Sequence, residues 1–155
     1  FRRCSSDLLF VFKNGELWEQ DANEIRNSFF GEVHPSVITF YLNVNPTAVK
    51  NLSSIRLNSN KPWSVTDIDI RPIKGKSKGQ KSRIKKGNFK NYQGQWFADF
   101  LRDMNDPRFS DELTALMKGA NLQGTVAKIT IEINETTEVR LLSVDILSSD
   151  QQYTY

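Results

Sequence analysis

Pro35-Ser-Val-Ile-Thr-Phe-Tyr-Leu-Asn-Val-Asn45 carries the strongest strand signal in the chain. Ile38, Phe40, Leu42 and Val44 hold every second position, with Val37, Thr39, Tyr41 and Asn43 between them. A strand turns successive side chains to opposite faces, so this spacing makes one wholly apolar face. β-Branched and aromatic residues dominate the stretch and fit a pleated surface. Pro35 and Pro46 bracket it, and neither can donate to a sheet ladder. The pattern predicts the central strand of a β domain, on which the other periodic segments pack.

Those segments lie on both sides of it. Leu8-Leu-Phe-Val-Phe12 and Glu16-Leu-Trp-Glu19 flank Asn14-Gly15, which suits a type I′ turn because both central residues need positive φ. A β-hairpin is expected over 5–20, and a polar loop with an aromatic anchor, Phe29-Phe30-Gly31, over 20–34. Leu52, Ile55 and Leu57 predict a second strand, and Val65, Ile68 and Ile70 a third with Asp67 and Asp69 turned outward. Ala127, Ile129, Ile131 and Ile133 alternate with polar residues. Leu142, Val144 and Ile146 do so after the turn Glu135-Thr-Thr-Glu138, which predicts an antiparallel hairpin with one buried face. Trp96, Phe97, Phe100, Leu101 and Met104 form a stripe at helical spacing over 95–105, stopped by Pro107. A second helix is expected over 110–117, capped by Ser110, with Leu113, Leu116 and Met117 as its apolar side and Gly119 at its end. The tail, 148–155, reads as polar and loose.

The expected fold class is mainly β, or β-rich α+β: an antiparallel β-sandwich-like domain with one or two short helices, preceded by a β-hairpin. Residues 1–30 read as the hairpin and a connection, the end of a preceding β unit. Residues 31–150 read as the sandwich-like domain, with a basic loop at 74–90 and a helix at about 95–105.

Composition narrows the function. At 155 residues the chain has room for a real core, yet its apolar fraction is only 38%, while aromatics reach 11%. Ten Phe, three Trp and four Tyr suggest a core of few, large side chains, or faces meant for partners. One cysteine, Cys4, excludes an internal disulfide. No apolar run approaches the ~20 residues of a membrane-spanning helix, and no signal peptide is visible. The first residue is Phe, so a larger parent is expected.

Catalytic signals are sparse. The one histidine, His34, has no second histidine or cysteine cluster to work with and reads as a loop residue. Asp99, Asp103, Asp106, Asp111 and Glu112 lack the alternating pattern and glycine of a calcium loop, and read as a solvated helix face. No phosphate-binding glycine loop or nucleophile elbow occurs. No catalytic residue, metal ligand or cofactor is expected.

Charge distribution is more informative than its sum. The net charge is +3, but residues 71–93 hold nine basic residues and no acid, so removing those nine from +3 leaves the remainder at −6. Lys74, Lys76, Lys78, Lys81, Arg83, Lys85 and Lys86 are the candidate contacts with an acidic partner or nucleic acid, with Phe89, Tyr92 and Trp96 following as candidate stacking groups. Phe29 and Phe30 are the candidate subunit contact. Three readings are open: a structural module of an assembly, a nucleic-acid-binding β domain using the basic segment, and a glycan- or protein-binding β-sandwich with Trp18, Trp63 or Trp96 as its platform.

A family pattern accumulates along the chain: Asn14-Gly15 with Leu17-Trp18, Phe29-Phe30-Gly31, Pro35-Ser-Val-Ile-Thr-Phe40, Asn45-Pro46 and Asn58-Ser-Asn-Lys-Pro-Trp63. It continues with Ser82, Asn88-Phe89, Gly94, Leu101-Arg102-Asp103 and Leu122-Gln123-Gly124. This order resembles the C-terminal region of the large, muzzle-like tail structural proteins of crAss-like phages of Bacteroidota. The resemblance implies a non-enzymatic component of the virion tail. Its implied partners are copies of itself and other tail proteins, with DNA as a further contact of the basic loop and no membrane. It implies no cofactor and no catalytic residue.

Overall fold

A computed structural model describes residues 9–20, 22, 24–73 and 78–150. Two compact units are present, Phe1–Ser36 with Asn134–Glu138, and Val37–Ile133 with Val139–Tyr155.

The smaller unit is built from tight turns. Strands β1 (Phe10–Lys13) and β2 (Glu16–Glu19) pair antiparallel around Asn14-Gly15, with φ of 55° and 83° at the two turn residues. That is the type I′ geometry Asn-Gly favours. Strands β3 (Ser28–Phe29) and β4 (Glu32–Val33) repeat the device. Here Phe30 takes φ of 54° and Gly31 80°, so the expected aromatic loop is a two-residue turn with Phe30 in the left-handed region. Residues 1–8, including Cys4, lie outside the described residues.

The larger unit is a β-sandwich. Its strands are β5 (Ser36–Leu42), β6 (Lys50–Ser59), β7 (Ser64–Ile70), β8 (Gln80–Ile84), β9 (Lys90–Tyr92), β10 (Gln95–Asp99), β11 (Gln123–Gly124), β12 (Ala127–Ile133) and β13 (Leu141–Asp150). One sheet forms around β6, which pairs with β13 along one side and with β10 and β11 along the other, β9 lying beyond β10. The second sheet runs β5-β12-β7-β8. Ile55, Leu57 and Ala98 from the first sheet and Val65, Ile68, Ile70, Ile84, Ile129 and Ile131 from the second close one apolar core, with Trp63, Phe89 and Phe100 filling it.

Several expectations are corrected. The stretch 35–45 supplies β5, but β5 is an edge strand, and β6 is central to its sheet. Alternation reports which faces are apolar; it does not report how many neighbours a strand has. β6 is harder to rank from sequence because its apolar residues, Leu52, Ile55 and Leu57, break strict alternation. The cause is a bulge: Ser148 faces Leu52 and Leu147 faces Ser54, so Ser53 is the extra residue and the buried phase switches there. Thr66 does the same in β7, which explains Val65, Ile68 and Ile70. β12 and β13 do not pair as a hairpin: β12 joins β7 and β13 joins β6, in different sheets. Both segments have the right alternation for a hairpin, and only the register of their partners separates them. In β13 a further bulge leaves Leu142 unmatched and 76% exposed, so Leu141 rather than Leu142 packs on the core beside Val144 and Ile146. β13 also runs through Ser148–Asp150, which were expected in a loose tail; the rest of that stretch, 151–155, lies outside the described residues.

The helix expected at 95–105 is instead β10 followed by irregular chain. Ala98 is buried between half-buried Trp96 and buried Phe100, so the true period is two; the helical reading overlooks the small apolar residue. Gln93-Gly94, with φ of 51° and 79°, turns β9 into β10 as a hairpin. The one α-helix among the described residues is α1 (Glu112–Lys118), capped by Asp111 rather than Ser110. Its buried residues are Ala115 and Leu116, while Leu113 and Met117 are exposed. Gly119 is required by space: a Cβ there would lie 2.4 Å from the Ala115 carbonyl oxygen and 2.7 Å from that of Asp103.

Candidate functional site

The basic segment divides into a part within the fold and a part outside the described residues, where Lys74 and Lys76 fall. The expected loop becomes strand from Gln80 onward, because Gln80, Ser82 and Ile84 alternate inward and are buried. Lys81 and Arg83 are thereby turned to the outer face. Arg83 is committed to an ion pair with Glu112. Lys81 lies opposite Asp69, which in turn lies opposite Lys128, so an acid sits between two lysines in this cross-strand row. Lys78, Lys81, Lys85 and Lys86 are exposed. Of the proposed stacking groups, Phe89 is in the core, Trp96 is half-buried and Tyr92 is exposed.

The acidic group has a structural task that sequence reasoning missed. Asp103, buried, accepts the backbone N–H groups of Lys81 and Asn105, each at 3.0 Å. Asp106, also buried, accepts the Ala120 N–H at 2.7 Å, the Arg108 N–H at 3.1 Å and the Arg108 guanidinium at 2.6 Å. The Arg108 side chain, then these backbone N–H groups, hold the Asp106 carboxyl well below the usual carboxylate range. Asp111 is lowered by the backbone and hydroxyl of Thr114, the capping bonds of α1. Among the described residues no group of three or more metal-ligating side chains assembles. Lys50 is likewise buried, its ammonium donating to the carbonyls of Asn45, Ala48 and Thr125 at 2.8, 3.2 and 3.1 Å.

The smaller unit presents the more unusual surface. None of its described residues is buried. On one face of the β1–β2 hairpin, Trp18 meets the Phe30 ring edge-on at 5.8 Å, and the Lys13 ammonium lies 4.2 Å from that ring. The other face holds Phe10, Phe12 and Leu17, which are 48%, 77% and 56% exposed among the described residues. Phe29, 58% exposed, leans toward His34, while Phe30 is half-buried, so the two candidate contacts are presented differently. Leu9, Trp18, Ile25, Arg26, Phe29 and Phe30 line part of a pocket of about 470 Å³. Residues 134–138 are tied into this unit: the Arg26 N–H donates to the Thr136 carbonyl at 2.8 Å, and the Asn27 amide to that of Glu135 at 3.1 Å. Of the three candidate tryptophan platforms, Trp63 is buried with its indole N–H on Ser59 Oγ, whereas Trp18 and Trp96 are half-buried.

Residues 24–103, 80 of the 155, match the family model described as Crassvirus muzzle protein C-terminal domain. Comparison with curated proteins finds no match. The chain belongs to the Crassvirus muzzle C-terminal domain family. Membership assigns it a structural role in the phage virion, at the tail.

Proposed function

From that membership we propose that the chain is a non-enzymatic assembly module of the tail, which buries the apolar surface of its smaller unit against copies of itself and neighbouring tail proteins. One observation carries this reading: a unit with no buried residue among those described exposes Phe10, Phe12 and Leu17 side by side on one hairpin face. A two-stranded hairpin is at best marginally stable alone in water. An uncovered apolar face is where such an element gains stability from a partner. A β unit preceding this domain in the parent muzzle protein is one such neighbour, and residues 1–30 would then be its closing piece.

The test is a phage carrying Phe10→Asp and Phe12→Asp in its muzzle protein. The larger unit folds as before, and particles lose the muzzle protein or fail to mature. Particles that keep a full complement of the variant protein overturn the reading.

A second reading, DNA contact through 74–90, is favoured by the exposure of Lys78, Lys81 and Lys85. Binding of DNA that weakens when these three become Ser supports it.

A further inference from the structure

The sandwich has four main edge strands, β9 and β13 in one sheet and β5 and β8 in the other. Unpaired edges invite pairing with other chains, and proteins blunt them with charge, bulges, brevity or cover. Three of the four are blunted. The Lys81 N–H of β8 is taken by Asp103, and its carbonyl accepts the Met104 N–H at 2.8 Å. β9 is three residues long and carries Lys90. β13 is bulged at Leu142 and carries Asp145, bound to Arg56 at 2.9 Å.

β5 has none of these protections. It runs seven residues without a charge, and Val37 and Tyr41 on its outer face are 52% and 61% exposed. Ile38, on the core-facing side, is exposed as well. Beyond its own sheet, no backbone hydrogen bond reaches residues 36–42 among the described residues.

We propose that β5 is an assembly edge: it pairs antiparallel with β5 of a second copy across a two-fold axis, joining two four-stranded sheets into one. The occupant follows from side-chain chemistry. An added strand extends both faces of the sheet, so here it must offer apolar groups on both and a charge on neither. Among described strands longer than two residues, β5 itself is the one without a charged residue. Centred on Thr39, the pair sets Val37 opposite the second copy's Tyr41 and Ile38 opposite its Phe40, like faces together. These are the aromatic and β-branched pairings that stabilise sheets. An isologous contact of this kind closes at two copies.

This inference rests on the assembly reading and names a surface for it, so the experiment removes the hairpin surface first. The 155-residue chain with Phe10→Ser and Phe12→Ser is the background, and mass is read by sedimentation equilibrium. In it the chain is a dimer. Thr39→Lys or Thr39→Asp puts like charges opposite each other and raises the dissociation constant at least about tenfold. An equal mixture of the two variants restores the dimer. Thr39→Val, which loses only the 3.0 Å hydroxyl contact with Thr130, keeps it. A far-ultraviolet circular dichroism spectrum matching that of the background confirms that each variant is folded. A background chain that stays monomeric overturns the proposal. A dimer whose mass neither charged substitution alters overturns the β5 assignment and leaves assembly through the hairpin untouched.

Discussion

Gly124→Ala is the sharpest test of how the two sheets meet. Gly124 lies in β11 opposite Lys50, and its Cα faces Ile70 of the other sheet. A Cβ at this position would sit 2.2 Å from Ile70 Cγ2, far inside the ~3.5–4.0 Å at which carbon atoms pack. Ile70 is only 1% exposed, and its Cγ2 hangs directly on a branched Cβ, so it cannot swing aside. The expected overpacking cost is about 1–3 kcal/mol. It is partly offset by the roughly 0.5–1 kcal/mol that Gly loses to Ala in a strand. Ile70→Ala alone opens a cavity and costs about 2–5 kcal/mol. Once Cγ2 is gone, the nearest atom to the new methyl is Ile70 Cβ at 3.7 Å, ordinary contact. In the Ile70→Ala background Gly124→Ala is therefore neutral or stabilising. Urea unfolding of wild type, both single variants and the double variant gives the coupling, with equal slopes required for a fair comparison. A double variant whose loss equals the sum of the singles within about 0.5 kcal/mol refutes the close approach.

Other perturbations follow from the same geometry. Lys50→Met removes the ammonium from three carbonyls, of which that of Asn45 keeps the Ala48 N–H. The two left short of a donor set a loss of about 2–4 kcal/mol, read as a lower urea midpoint. The Asp106 carboxyl is held below its ordinary value in the folded chain and not in the unfolded one, so acid favours unfolding. Its contribution is complete above the ordinary value of 3.8 and fades as pH falls toward the folded value. Asp106→Asn should flatten the decline in melting temperature below that pH, and an unchanged decline would show that other carboxyls govern it. If the exposed lysines of the basic segment meet DNA, replacing Lys78, Lys81 and Lys85 with Ser lowers the log–log salt slope of binding by about 0.9 for each phosphate no longer neutralised. A slope that stays fixed assigns the binding to other residues.

The sequence showed the β class, the Asn-Gly hairpin and most strand positions, because each rests on local pattern. β12 is the cleanest case: four inward residues at period two are all buried. What it did not show was the partner of each strand. β5 and β6 exchanged ranks because hydrogen-bonding neighbours leave no mark on a strand's own alternation. Bulges at Ser53, Thr66 and Leu142 disguised the period where they occur. At the candidate site, Phe29 and Phe30 were legible as an aromatic anchor, but not which of the two would be exposed. The commitments of Arg83 to Glu112 and of Asp103 to the Lys81 N–H join residues 29 and 22 positions apart, beyond any local signal.

The placement of the aromatic residues connects fold to function. Aliphatic residues make most of the core of the larger unit, and Trp63, Phe89 and Phe100 are the rings that complete it. Had all the rings been needed for cores, the smaller unit would bury its own. Instead Phe10, Phe12 and Phe29 are exposed there. That unit also holds Phe30 at a positive φ that an aromatic residue rarely adopts, with its ring packed on Trp18. Backbone strain of this kind persists where surrounding contacts fix it, here the Trp18 ring and the Lys13 ammonium on the Phe30 ring. The division of labour is thus chemical: aliphatic and aromatic residues that satisfy one another make the sandwich, and the exposed rings of the smaller unit are the surface that the proposed assembly would bury.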